Sequence, residues 1–172
     1  SHDKPWIFFS STSHVYKFSK KILRENSPLR PISFYGKTKY LAEKYLKRKL
    51  EQKNFIYCIG RIFSFTHSSQ KKTFFVPSIF EKLAKTKLQK ISFTDMHQKR
   101  DFISVLDITR AISELYKQKR KGVYNICSNK GIYLHQIINL ISKKIRPKIK
   151  IIYKKGKNYN HLVGSNLKLR KI

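Results

Sequence analysis

From Asn54 to Phe63 the chain reads NFIYCIGRIF, without the alternation of apolar and polar residues that a half-exposed strand shows. A continuous run of this kind fits a strand covered on both faces, as in the middle of a parallel sheet. Parallel neighbours need crossover connections, commonly helices, so the run commits the chain to an α/β fold. A second apolar run, Ile7 to Phe9, ends in Ser10-Ser11-Thr12-Ser13. A strand there delivers hydroxyls at its C-terminal end, the edge at which open α/β sheets bind ligands.

Glu25-Asn26-Ser27-Pro28 and Pro31 then mark an irregular loop, and Phe34 to about Lys53 has the pattern of a helix. Leu41, Tyr45, Leu46 and Leu50 form its expected apolar stripe, and Glu43/Lys47 an exposed i,i+4 ion pair. Lys39 falls one turn after Tyr35, on the same face. The spacing alone decides little. With 30 Lys and 10 Tyr the chain holds five Tyr-x-x-x-Lys pairs, the others being Tyr16/Lys20, Tyr40/Lys44, Tyr45/Lys49 and Tyr153/Lys157. Only Tyr35/Lys39 opens a helix just after a hydroxyl-bearing strand end. Thr12, Tyr35 and Lys39 are therefore the candidate catalytic trio. A free phenol has a pKa of about 10, and a neighbouring ammonium favours its ionised form. A phenol so placed can exchange a proton with a substrate hydroxyl, while a threonine beside it holds the same oxygen. Otherwise Tyr35 simply starts the apolar stripe.

The rest of the chain reads as scaffold. Phe74 to about Lys87 is a helix with Val76, Ile79, Phe80 and Leu83 on one face, and Lys90 to Thr94 a short strand. Asp107 is expected to charge the first turn of a helix Ile108 to Lys117, GVYNIC to form a strand, and Leu134 to Lys144 another helix. Ile149 to Tyr153 is a last strand, with Ser165 or Asn166 as a cap near the C-terminus.

The formal charge of +30 invites a polyanion-binding reading. Against it, the lysines run from Lys4 to Lys171 instead of gathering in one block, and 30 Lys to 9 Arg with 21 Ile to 3 Ala reflects biased composition. Nucleic acid is thus not the expected partner. No apolar run has the length of a membrane span, and the N-terminus lacks the pattern of a secretory leader, so a cytoplasmic location is the default. Cys58 and Cys127 lie in strand-like runs without C-x-x-C spacing and read as buried thiols; the histidines form no H-x-x-x-H or H-E-x-x-H set, so no metal site is expected.

SSTSHVY, SPLRPISFYGKTKYLAEKYL, GRIFSF, QKRDFISVLDITRAI and GVYNICSNKGIYL together resemble, in order and over nearly the whole chain, the extended short-chain dehydrogenases/reductases, in particular the NAD-dependent epimerase/dehydratase group acting on nucleotide sugars. The resemblance implies a partial Rossmann-like parallel sheet in residues 1–65, carrying Thr12, Tyr35 and Lys39, and a small substrate-binding α/β domain in 66–172 that partly returns to the sheet. It implies NAD or NADP as cofactor, met by Tyr35, Lys39 and Phe63, and a nucleotide-diphosphate sugar met by Thr12, Ser64 and Arg100. For Phe63 ordinary core packing is the other reading, and for Arg100 an ion pair with Asp101 or Asp107.

Three departures matter. Phe65-Thr66-His67-Ser68 stands where the family has a V-Y-G-P-like turn, so the shape of the sugar pocket is open. Ser13-His14 stands where the family's dehydratases carry an Asp-Glu pair, which favours epimerisation or keto-sugar reduction over 4,6-dehydration, with His14 a candidate replacement acid. The arginine that often precedes the closing stretch is replaced at best by Lys155 or Lys157. The glycine-rich cofactor loop is also missing from these residues, and the resemblance would place it before Ser1. The chain is expected to be the C-terminal portion of a longer enzyme or a non-catalytic remnant of one. Its expected protein partner is the N-terminal half or a second copy of the chain.

Overall fold

The computed structural model describes residues 4–156 and 160–172. Three strands form a parallel sheet in the order β1-β2-β5: β1 (Trp6–Thr12), β2 (Ile56–Ile62) and β5 (Gly122–Ile126). The continuously apolar run is the central strand, as its sequence requires. Trp6 pairs with Ile56 through to Thr12 with Ile62, and Cys58 with Gly122 through to Ile62 with Ile126.

The sheet has two unlike faces. Trp6, Phe8, Cys58, Ile62, Tyr124 and Ile126 cluster with Ile108 and Leu115 of α3 (Val105–Lys117). Ser11, Arg61 and Asn125 alternate with them and form a polar row that Glu43 of α1 (Phe34–Gln52) meets from above. α1 starts where it does because the Ser33 hydroxyl accepts from the Gly36 N–H at 3.1 Å; α3 starts in the same way, Ser104 accepting from Asp107 N–H at 3.0 Å. Asp107 lies in that first turn, as expected.

A second layer is built from α2 (Phe75–Lys85) and α4 (Leu134–Ile145) over the parallel pair β3 (Lys90–Thr94) and β7 (Lys150–Lys154). Ile79, Leu83, Ile91, Phe93 and Ile138 are its core. The antiparallel pair β4 (Lys99–Asp101) and β6 (Gly131–Tyr133) connects it to the sheet.

Four expectations need correction. Leu41 and Tyr45 are 63% and 57% exposed while Leu46 and Leu50 are half-buried, so the stripe expected on α1 is only partly covered; the fully buried residues of that helix are Gly36 and Glu43. Glu43 is consequently not half of a surface pair with Lys47 but forms a buried salt bridge with Arg61 at 2.7 Å. Phe80 of α2 is exposed as well. The final 3-10 turn, Leu169–Lys171, is preceded by Lys168 without a side-chain cap; just upstream the Ser165 hydroxyl accepts from the Leu167 N–H at 3.4 Å, whereas the Asn166 amide donates to the Cys127 carbonyl at 3.1 Å. No described helix is long and apolar enough to cross a membrane.

Candidate active site

The end of β1 turns directly into a 3-10 turn, Ser13–Val15, because the Thr12 hydroxyl accepts from the His14 N–H at 3.3 Å. α1 begins against that turn: a Cβ on Gly36 would run into the His14 carbonyl and Pro31. Glycine at this position lets the helix start come close enough for Tyr35 to meet the His14 ring edge-on, with centroids 6.2 Å apart.

The result is a cavity of about 520 Å³ at the carboxyl edge of the sheet. Thr12, His14, Tyr35, Phe63, Ser64 and Arg100 all line it. Thr12 is buried, whereas Tyr35 is 53% exposed, as a group that must meet a ligand can be. Lys39 is not in the lining. Its ammonium donates to the Ser10 carbonyl at 2.8 Å and sits 5.1 Å over the Phe9 ring, one turn behind Tyr35. Thus, of the seven residues singled out for this site from the sequence, the structure brings six onto one surface and sets Lys39 just behind it.

Phe63 is 3% exposed, packs with Tyr16 at 6.3 Å and leaves no room for a side chain at Gly164, and it also lines the cavity. Ser64 is fixed by its backbone, its carbonyl accepting from Ile103 N–H at 2.9 Å.

Arg100 makes neither of the ion pairs that its sequence neighbours offered. Asp101 accepts from Ser128, Asn129 and Gly164, and Asp107 bonds Ser104 and Arg110. The Arg100 guanidinium donates to the Lys99 carbonyl at 2.9 Å, to the Asn160 carbonyl and to Gln98 Oε1 at 2.7 Å. Burial pulls its pKa down to about 10, so it is still a cation at neutral pH. Of five guanidinium N–H groups these bonds use three, leaving donors free among the described residues. Burial, with Arg100 nearby, also holds the His14 imidazole below its usual pKa, so it is neutral at pH 7. Lys155 is not part of the cavity lining, and Lys157 lies outside the described residues.

Glu43, Arg61, Tyr16 and Asn125, none of them expected at the site from the sequence, form a buried polar network beneath it. Arg61 Nη1 donates to the Tyr16 hydroxyl at 3.0 Å and to the Glu25 carbonyl at 2.9 Å, and the Tyr16 hydroxyl donates to Asn125 Oδ1 at 2.6 Å. The signal was available: an arginine inside an otherwise apolar central strand requires a buried partner.

A parallel α/β sheet whose first described strand ends in serine and threonine, followed by a helix opening with Tyr35 and Lys39, defines a Rossmann-like domain of the short-chain dehydrogenase/reductase type. Residues 2–169 match the family described as GDP-mannose 4,6 dehydratase, and the chain belongs to it, among the extended NAD-dependent epimerases and dehydratases. A Methanocaldococcus jannaschii protein named "Putative UDP-glucose 4-epimerase" is 31% identical over 153 residues, 87% of this chain and 50% of the relative. UDP-N-acetylglucosamine 4-epimerase from Methanobrevibacter ruminantium M1, solved with UDP-N-acetylmuramic acid, superposes with a TM-score of 0.83 at 25% identity, over 96% of this chain and 56% of that one. RMD from Pseudomonas aeruginosa, solved with NADPH, superposes with a TM-score of 0.86 at 20% identity, over 99% and 60%. The chain therefore spans about half the length of the relatives it matches.

Proposed function

We propose that the chain carries the catalytic and sugar-binding face of an NAD- or NADP-dependent nucleotide-sugar epimerase or keto-sugar reductase. The observation that supports this most is the convergence of Thr12, Tyr35 and Arg100 on one cavity at the carboxyl edge of a parallel sheet, with Lys39 directly behind Tyr35. In this reading Tyr35 exchanges a proton with a hydroxyl of the sugar ring, and Thr12 hydrogen-bonds the same oxygen. Lys39 is assigned to the site as the cation one turn behind Tyr35, held there by its bond to the Ser10 carbonyl at 2.8 Å. A bound nicotinamide dinucleotide supplies the hydride acceptor and donor. Its reactive end fits the residues present: Tyr35 and Phe63 line the cavity with one polar and one apolar side chain, and Lys39 lies one turn behind them.

Arg100 is assigned to the diphosphate, which its remaining N–H groups can meet as a fork. Ser64 is assigned to the sugar. The pair Ser13-His14 supplies no carboxylate for acid-base elimination of water, which favours epimerisation or reduction over 4,6-dehydration. The proposal includes a boundary near residue 65 between a cofactor-side region and a substrate-side region, and a cytoplasmic setting. It also includes a protein partner, either an N-terminal half with the glycine-rich loop or a second copy.

The test is turnover of UDP-glucose with NAD or NADP by the chain and its Tyr35→Phe variant, with titration calorimetry of each dinucleotide. Loss of the phenol should lower turnover about 10²- to 10⁴-fold and leave sugar-nucleotide binding within about threefold. Unchanged turnover refutes the assignment of Tyr35. An absence of heat with both dinucleotides favours a non-catalytic remnant, and DNA binding with a steep salt dependence favours a polyanion binder.

A further inference from the structure

α1 buries a carboxylate where a helix packed on a sheet ordinarily buries an aliphatic side chain. Glu43 is 5% exposed and Arg61 4%. Arg61 Nη2 donates to Glu43 Oε2 at 2.7 Å, and Arg61 Nε reaches Oε1 and Oε2 at 3.1 and 3.3 Å; the Ser11 hydroxyl donates to Oε1. Desolvating such a pair offsets much of its attraction, and well-packed apolar residues in its place are often no less stable. Stability is therefore a poor account of its presence.

Direction is a better account. An apolar contact tolerates rotation of a helix about its axis, whereas a forked guanidinium–carboxylate pair is satisfied only over a narrow range of angles. Ser11 and Arg61 are direct partners in the β1–β2 register, and Arg61 and Asn125 in the β2–β5 register. Glu43 is thus pinned to one rung that crosses all three strands. Along α1, Tyr35, Lys39 and Glu43 follow one another at intervals of four residues, so they share a face. Along β1, Ser11 immediately precedes Thr12.

We propose that Glu43, clamped by Ser11 and Arg61, is a positioning residue that sets the rotation and height of α1 over the sheet and thereby the placement of Tyr35 and Lys39 against Thr12. The inference rests on the catalytic reading above for its consequence but not for its geometry. Small displacements of groups held in reacting geometry are costly: about 1 Å can lower a rate 10²-fold.

The experiment uses the full 172-residue chain. The double variant Glu43→Leu/Arg61→Met removes both charges together, so no lone buried ion remains. Three quantities are compared with the unsubstituted chain: the thermal midpoint, kcat and KM for UDP-glucose with NAD, and acetylation of Lys39 by acetic anhydride followed by mass spectrometry. Positioning predicts a midpoint within about 5 °C, a kcat about 30- to 100-fold lower with KM within about threefold, and Lys39 acetylation several-fold faster as its bond to Ser10 loosens. A merely structural role predicts that kcat and Lys39 acetylation both stay at their unsubstituted values once the midpoint is preserved, and that result overturns the proposal. Should the unsubstituted chain show no turnover, the catalytic reading fails, and Lys39 acetylation alone still decides the positioning. If the double variant does not fold, Glu43→Asp, which keeps the charge and shortens the reach, is judged by the same measurements.

Discussion

The rings of His14 and Tyr35 stand edge to face at 67°, their centroids 6.2 Å apart, and both line the cavity. The contact joins the end of the first strand to the first turn of the helix that follows the loop. Whatever disturbs the approach of these two segments disturbs the site.

Gly36→Ala tests that approach. Alanine in place of glycine in a helix interior gains up to about 1 kcal/mol from propensity. Here the added methyl would collide with the His14 carbonyl, a backbone atom that cannot swing away. Overpacking of this kind typically costs about 1–3 kcal/mol, so the clash should win. The expected result is a lower urea midpoint and a larger loss of turnover than of stability, read by denaturation and steady-state kinetics on the same samples.

Arg100→Lys keeps the charge and removes the fork. The bonds to the Lys99 and Asn160 carbonyls and to Gln98 orient the guanidinium along the cavity wall, and an ammonium cannot reproduce them together with a bidentate phosphate contact. KM for the sugar nucleotide should rise about tenfold, with kcat within about threefold. An unchanged KM would place the diphosphate elsewhere.

Acid should weaken the fold through two half-buried imidazoles. Burial and nearby cations depress His14 and His161 below the ordinary value of 6.5. The unfolded chain then takes up protons first as pH falls, so this stability is fully present above about 6.5 and is lost as pH drops below it. Midpoints in urea at pH 7.5 and 5.5, at constant salt, should differ, and His14→Gln should shrink the difference. An equal difference in the variant would show that His14 contributes nothing to it.

Cys58 and Cys127 should be silent toward Ellman's reagent in the folded chain. Both are buried, and burial pushes the Cys58 thiol up to about 12 and the Cys127 thiol higher still. The reactive thiolate is then scarce at pH 8. Two equivalents should appear only in denaturant; prompt reaction of either in buffer would contradict the burial.

What was legible in the sequence follows from what leaves a periodic or local trace. The central strand showed itself by unbroken apolarity, and the site by a hydroxyl cluster followed by a helix opening with Tyr35 and Lys39. Helix α1 was found, but the face it buries was misread. Its apolar residues suggested an inward stripe that included Leu41 and Tyr45, whereas the long side chain it buries fully is Glu43, because the sheet beneath it presents Ser11, Arg61 and Asn125. The partner that makes a buried Glu43 tolerable lies 18 residues away. A helical pattern carries no information about such a partner, and only the oddity of Arg61 within its strand could have supplied it.

Residues 160–166 run between the loop before α1 and strand β4. Ser19 and Leu23 donate to the carbonyls of His161 and Val163, Ser165 donates back to Leu23, and Leu162 exchanges hydrogen bonds with Lys99 and Asp101. Amino acids polymerised later therefore brace those polymerised before them. On a ribosome, the strand and helix bearing Thr12 and Tyr35 emerge well before this brace exists, so a nascent chain halted short of Leu162 would hold the reactive groups without the backing that keeps their loop in place.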